Sequence, residues 1–136
     1  MIEVAKEKLK DLRNVSFQAE DSEATSFHPE TFDTALMANM LHTVDDPLKA
    51  LRECYRVLKK GGTLLVINYT DQGMGRVERT LLEFRFAIQF HFPPKKNWPM
   101  TEEKLRSSLK KAGFTIERLE LIKGKLNAFY IHAKKA

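Results

Sequence analysis

Asn39 and His42 stand three residues apart, directly after the apolar run Phe32–Ala38. An amide can hold a ligand through both a donor and an acceptor, and an imidazole changes charge near neutral pH. His42 can therefore orient a substrate or act as a base; the plainer alternative is a packing histidine before a helix. Asn39 falls at the carboxyl end of a buried strand, where open α/β sheets bind their ligands, unless it serves only its turn. Tyr69 closes a second apolar run and can line a pocket there or simply cap its strand. His91, Trp98 and the Phe84–Phe92 stripe can form an apolar lid, although aromatic residues at helical spacing also suit a core. The single cysteine, Cys54, sits in the middle of an amphipathic segment, a poor place for a nucleophile. No His, Cys or Asp cluster has the spacing of a zinc site, so no metal is implied.

These residues need elements to position them. Phe32–Ala38 reads as a buried strand. Asp45 and Asp46 supply an N-cap carboxylate, and Pro47 occupies a first helical turn where its missing N–H costs nothing. Leu48, Leu51, Tyr55 and Leu58 recur at spacings of three and four and line one helix face. Lys59 and Lys60 suit the negative end of that helix, and Gly61 suits a left-handed residue beyond it. Thr63–Ile67 is a β-branched run of the kind buried on both faces of a parallel sheet. Strand, helix and strand together make a crossover unit. Upstream, a helix over Ile2–Leu12 offers Val4, Leu9 and Leu12 to the core, and Val15–Ala19 reads as a strand. Downstream come a loop over Asp71–Gly75, a helix over Arg76–Phe92 and a proline-broken loop. A further helix is capped by Thr101 and stopped by Gly113. Two strands, Phe114–Ile122 and Leu126–Ala133, are then joined by Lys123-Gly124-Lys125 as an antiparallel hairpin.

The segment FDTALMANMLHTVDDPLKALRECYRVLKKGGTLLVIN, residues 32–68, resembles the central block of class I S-adenosylmethionine-dependent methyltransferases. The likeness is nearest to their small-molecule, ubiquinone/menaquinone-type branch. Phe32-Asp33, Asn39-Met40-Leu41-His42 and the run Leu51 to Gly62 match the family's FD, N-x-L-H and L-x-E-x-x-R-V-L-K-x-G-G pattern. Lys60 stands where the family often has proline. The resemblance implies an α/β, partial Rossmann-like fold with a mixed sheet of about five strands and an antiparallel last strand, flanked by helices. It also implies S-adenosylmethionine as cofactor. The cofactor would lie against Asn39, Met40 and His42, while Asp21 and the backbone N–H of Ser22 would meet its adenine. Asp21-Ser22 otherwise makes an ordinary Asx turn. Tyr69, His91 and Trp98 would face the methyl acceptor.

The family's glycine-rich cofactor loop and the acidic residue that binds the ribose stand before this block. The 136 residues contain neither: the first glycine is Gly61, and Gly73-x-Gly75 opens no such motif. The expectation is a single domain, the later portion of the fold, with its cofactor site incomplete. Without the two strands that would separate them, Val15–Ala19 is expected to pair with Phe32–Ala38. The sheet order is then 3-4-5-7-6 by family labels, unless a homodimer covers the edges.

Composition bounds the rest. Hydrophobic residues make up 43% of the chain and nine are phenylalanine, enough for a real core. No apolar run approaches the ~20 residues of a membrane span. One cysteine excludes a disulfide framework and suits a cytoplasmic setting. The net charge of +5 arises from lysines spread among glutamates, with no basic–aromatic stripe. That pattern argues against nucleic-acid binding. The N/D-P-P-Y/F turn of base-amine methyltransferases is absent after Ala38, which favours a small molecule or a side chain as acceptor. Two readings stand: a methyltransferase, incomplete as given, and a non-catalytic remnant of that fold used for association.

Overall fold

A computed structural model describes residues 2–90 and 100–136. In chain order the elements are α1 (Ile2–Lys8), β1 (Phe32–Ala38), α2 (Pro47–Val57), β2 (Leu58–Thr70), α3 (Arg76–Phe90), α4 (Glu102–Ala112), β3 (Phe114–Ile122) and β4 (Asn127–Lys135). The four strands form one mixed sheet in the order β1-β2-β4-β3. β1 and β2 run parallel, whereas β4 is antiparallel to both of its neighbours.

The local chemistry accounts for the helix ends. The Asp46 carboxylate accepts from the backbone N–H groups of Leu48 and Lys49 at 3.0 and 3.1 Å, with Pro47 just inside the helix. Thr101 Oγ1 accepts from Lys104 N, and Gly113 closes α4 at φ 101°. A Cβ on Gly113 would come within 3.0 Å of the Tyr55 ring, so this glycine also lets α2 approach. Tyr55 in turn meets Phe114 edge to face, with 5.1 Å between ring centroids.

Helices α2 and α4 pack beside each other over one face of the sheet. Beneath them lie Leu64 and Val66 of β2 and Phe129, Ile131 and Ala133 of β4, all fully buried, with Leu51, Leu105 and Leu109 above. Each large side chain buried there contributes roughly 1.5–3 kcal/mol relative to exposure. Among the described residues, nothing comparable covers the opposite face. Leu36 is 60% exposed, and Ile67, Tyr69 and Ile122 are also exposed.

Four expectations are corrected. Val15–Ala19 forms no strand, and among the described residues the sheet has four strands rather than about five. The segment makes no ladder bond; Val15 remains exposed and Phe17 is only half-buried. The remaining order, β1-β2-β4-β3, agrees with the expected 4-5-7-6. Second, the first helix ends at Lys8, and Val4, Leu9 and Leu12 are exposed rather than in the core. A charged seven-residue helix with no buried side chain has little to extend it. Third, α2 ends at Val57, so Leu58 belongs to β2, which is far longer than Thr63–Ile67. Helix gives way to strand without a loop.

Finally, Gly61 takes a left-handed φ of 72°, but inside a strand irregularity instead of at a helix end. Phe32 pairs with Leu58 and Thr34 with Thr63, so Lys59 to Gly62 bulge opposite Asp33 alone. A Cβ on Gly62 would lie 2.7 Å from the Lys59 carbonyl oxygen and 3.2 Å from that of Asp33. The paired glycines therefore admit the bulge, and Lys59 Nζ bonds Asp33 Oδ1 across it at 2.8 Å.

In a denaturant titration, Asp46→Ala should lower the unfolding free energy by about 1 kcal/mol. Leu109→Ala should lower it by about 2–5 kcal/mol, because it opens a cavity under α4. A smaller loss for Leu109→Ala than for Asp46→Ala would contradict the packing of α4 on the core.

Candidate functional site at the strand ends

The carboxyl ends of β1 and β2 lie side by side and carry most of the polar residues of interest. β1 makes its last ladder bond from Asn39 N to the Ile67 carbonyl at 2.7 Å. Asn39 then turns into the left-handed region at φ 52°. Asparagine tolerates this conformation better than most residues. Its side chain completes the ladder in place of the departing backbone, since Asn39 Oδ1 accepts from Tyr69 N at 3.0 Å. The Met40 carbonyl accepts from both the backbone N–H and the hydroxyl of Thr43 at 2.8 Å, which closes the turn, and Leu41 is buried beneath it. The half-buried His42 ring places Nδ1 3.3 Å from Asn68 Oδ1.

The structure thus brings Asn39, Met40, His42 and Tyr69 together around one pair of strand ends. Asp21 and Ser22 reach this end by another route. Asp21 is exposed, and its Oδ1 accepts from Glu23 N at 2.9 Å, the Asx turn that its sequence also allowed. Glu23 Oε1 accepts from Asp46 N at 2.9 Å, which joins that loop to the helix cap after His42. His91 and Trp98 lie outside the described residues.

A second network fixes the loop from beneath. Glu53 Oε1 accepts from Thr25 N at 2.9 Å and Thr25 Oγ1 at 2.7 Å. Arg56 bonds Glu53 through Nε at 2.9 Å and Nη2 at 2.6 Å, and its Nη2 donates to the carbonyls of Thr25 and Phe27. The Arg56 guanidinium foremost, with the Thr25 bonds, holds the Glu53 carboxyl down at about 2 against the desolvation of its site. Cys54, one residue on, is buried, and burial pushes its thiol up to about 12. A thiol so placed is almost never a thiolate near neutral pH, which removes it as a nucleophile.

Sequence reasoning passed over Asn68, Thr70 and Asp71. All three are buried, although they are polar. Asn68 Nδ2 donates to the Tyr69 carbonyl at 3.0 Å, and Thr70 Oγ1 accepts from Gln72 N at 3.1 Å. Asp71 binds the Arg79 guanidinium, with Nε 2.6 Å from Oδ2, and so ties the first turn of α3 to the end of β2. The available signal was strand alternation: Asn68 and Thr70 continue the inward phase of Leu64 and Val66. Among the described residues no group of three or more potential metal ligands forms, and no helix is long and apolar enough to cross a membrane.

A family pattern described as a methyltransferase domain matches residues 1–66. The chain is 36% identical over 98 residues to the ubiquinone/menaquinone biosynthesis C-methyltransferase UbiE of Klebsiella pneumoniae, an alignment covering 70% of this chain and 38% of that protein. The chain belongs to the class I S-adenosylmethionine-dependent methyltransferase family. Solved structures agree on the fold. A methyltransferase from Methanosarcina mazei matches with a TM-score of 0.76 at 23% identity, over 98% of this chain and 76% of that one. The methyltransferase CalH in complex with SAH matches with a TM-score of 0.76 at 17% identity, over 98% of this chain and 39% of that one. The chain thus spans well under half the length of the curated relative. Within the family's L-x-E-x-x-R run, the acidic and basic members here are Glu53 and Arg56, the pair that grips the Thr25–Phe27 loop.

That grip carries a pH signature. A carboxylate whose folded value is depressed stabilises the fold above its unfolded value and loses that contribution as pH falls through the folded one. For Glu53 the loss should run from about 4.5 down to about 2. Acid unfolding of Glu53→Gln followed by circular dichroism should show a shallower loss of stability across that window. An unchanged acid limb would mean that the network does not hold the loop.

Proposed function

We propose that this domain takes part in methyl transfer from S-adenosylmethionine to a small molecule. The observation that carries the reading is the joined pair of strand ends, with Asn39 in a left-handed turn and His42 beside it, within the family's N-x-L-H pattern. Asn39, Met40 and His42 would flank the methionine part of the cofactor. Asp21 is exposed and suits acceptance from the adenine amino group, next to the Ser22 N–H. These groups make one side of a cofactor site. The glycine-rich loop that would let a backbone approach the methionine moiety is not among the 136 residues.

When bound, the cofactor supplies an electrophilic methyl group on a sulfonium sulfur. The chain's own residues then position and deprotonate the acceptor. His42 is the candidate proton acceptor. Tyr69 and Ile67 are exposed at the end of β2 and offer an apolar surface to the acceptor. Similarity to a ubiquinone/menaquinone C-methyltransferase supports an aromatic, lipophilic acceptor of the same kind. The buried free thiol of Cys54 suits a reducing cytoplasm.

A second reading, association without catalysis, is favoured by the open sheet face and the unpaired outer edge of β1. Exposed Leu36 there would support a homodimer.

Calorimetric titration with S-adenosylhomocysteine separates the two. Micromolar binding that weakens at least tenfold in Asn39→Ala is expected if this domain takes part in methyl transfer. No binding at millimolar ligand, by the chain alone or as a dimer, would favour association and overturn catalysis by this chain.

A further inference from the structure

The outer face of the sheet, turned away from α2 and α4, is two different surfaces. On its β1–β2 half, Leu36 and Ala38 stand beside Leu65 and Ile67, and Tyr69 takes the next outward position of β2. Leu36, Ile67 and Tyr69 are exposed. The β4–β3 half is polar, apart from Ala128 and Ile122 at one end. There Glu117 lies 3.4 Å from His132 Nδ1 and 3.2 Å from Lys134 Nζ. Arg118 bonds Glu120 at 2.7 Å and stands over the Tyr130 ring. Paired charges suit that half to water, whereas the apolar half has no such finish.

Helix α3 carries a second uncovered surface. Val77, Leu81, Phe84 and Ile88 follow spacings of four, three and four, so they share one helix face. All four are 59–73% exposed. The Asp71–Arg79 ion pair ties the first turn of the helix to the end of β2, and among the described residues nothing covers the stripe. A helix in a protein draws most of its stability from packing such a face.

The two surfaces match in size. The apolar half is two strands wide, roughly 10 Å, which is the width of one helix. Leu65 to Tyr69 spans roughly 13 Å along the strand, and Val77 to Ile88 rises roughly 16 Å along the helix. Helices laid on strands also close the inner face, through α2 and α4. A two-fold contact is reciprocal, so a second copy can lay each α3 on the other's β1–β2 half. Each copy then buries both of its uncovered surfaces, whereas a partner that covers one leaves the other exposed. Together these surfaces offer roughly 700–800 Å² of apolar side chain per copy, close to the ~800 Å² that each partner gives to a standard interface.

We propose that this chain forms a two-fold dimer in which α3 of each copy covers Leu36, Ile67 and Tyr69 of the other. The proposal rests on the association reading above and not on methyl transfer. It moves the contact from the outer edge of β1 to the sheet face.

The test is sedimentation equilibrium of the 136-residue chain over a range of concentrations, with two variants. Phe84→Glu puts a charge in the stripe and Ile67→Glu puts one on the sheet face. Both side chains are exposed, so far-ultraviolet circular dichroism should not change. Leu81→Glu and Leu36→Glu repeat the pair at other exposed positions should either variant fold poorly. The wild type is expected at dimer mass at high micromolar concentration, and each variant alone should dissociate at least tenfold more readily. An equimolar mixture of the two should recover part of the dimer mass, because the intact stripe of one meets the intact face of the other. A wild type that stays monomeric overturns both the proposal and the association reading. A dimer that neither variant weakens keeps association and discards the helix-on-sheet contact. Weakening by Phe84→Glu but not Ile67→Glu points to stripe against stripe and discards it too, as does a mixture no heavier than its separate variants.

Discussion

The covering of a single sheet face by α2 and α4 is the constraint on which the other features rest. Leu64, Val66, Phe129 and Ile131 point into that layer and are fully buried. Because a strand alternates its side chains, every inward position on β2 fixes the next. The same phase that buries Leu64 and Val66 carries Asn68 and Thr70 inward at the strand end, where apolar packing gives way to hydrogen bonds. Tyr69, in the opposite phase, is left exposed on the open face. A slip of one residue would exchange these roles and break the polar network with the core.

The helix layer also reaches the loop before β1. Glu53 and Arg56 stand on α2, so the helix that closes the core holds the Thr25–Phe27 segment as well. With Glu23 bonded to the Asp46 backbone, the Asp21 loop is fastened at two points to one rigid element. Groups on a backbone supported in this way would lose less freedom on engaging a ligand. The ion pair is half-exposed on its arginine side, and its worth lies in the carbonyls and N–H groups it satisfies more than in charge attraction.

Much of this was legible in the residues. Asp46-Pro47, Thr101 and Gly113 mark helix ends through local hydrogen bonding and backbone conformation, which a sequence states directly. The Phe114–Ile122 strand and its antiparallel partner followed from β-rich runs around a short Gly-containing turn. Val15–Ala19 misled because a β-rich run becomes a strand only when a neighbour supplies a ladder, and no partner strand pairs with it here. Val4, Leu9 and Leu12 misled for a related reason: helical spacing names a face without naming what covers it. At the site, Asn39 and His42 were visible as chemistry. Asn68 showed only as an inward position by alternation; its bonds to the Tyr69 carbonyl and the His42 ring depend on the fold.

The last strand in sequence lies in the interior of the sheet. β4 sits between β2 and β3, and Lys135 Nζ, next to the final residue, donates to the Leu58 carbonyl at 2.7 Å while lying over the Tyr55 ring. β2 and β3 therefore both precede, in the chain, the strand that joins them. Until β4 emerges, β2 offers an unpaired apolar edge, and the core layer lacks Phe129 and Ile131. Closure then depends on pairings distant in sequence, the kind that fold slowly. A chain of this topology is most open to misassociation while β2 is formed and β4 has not yet docked beside it.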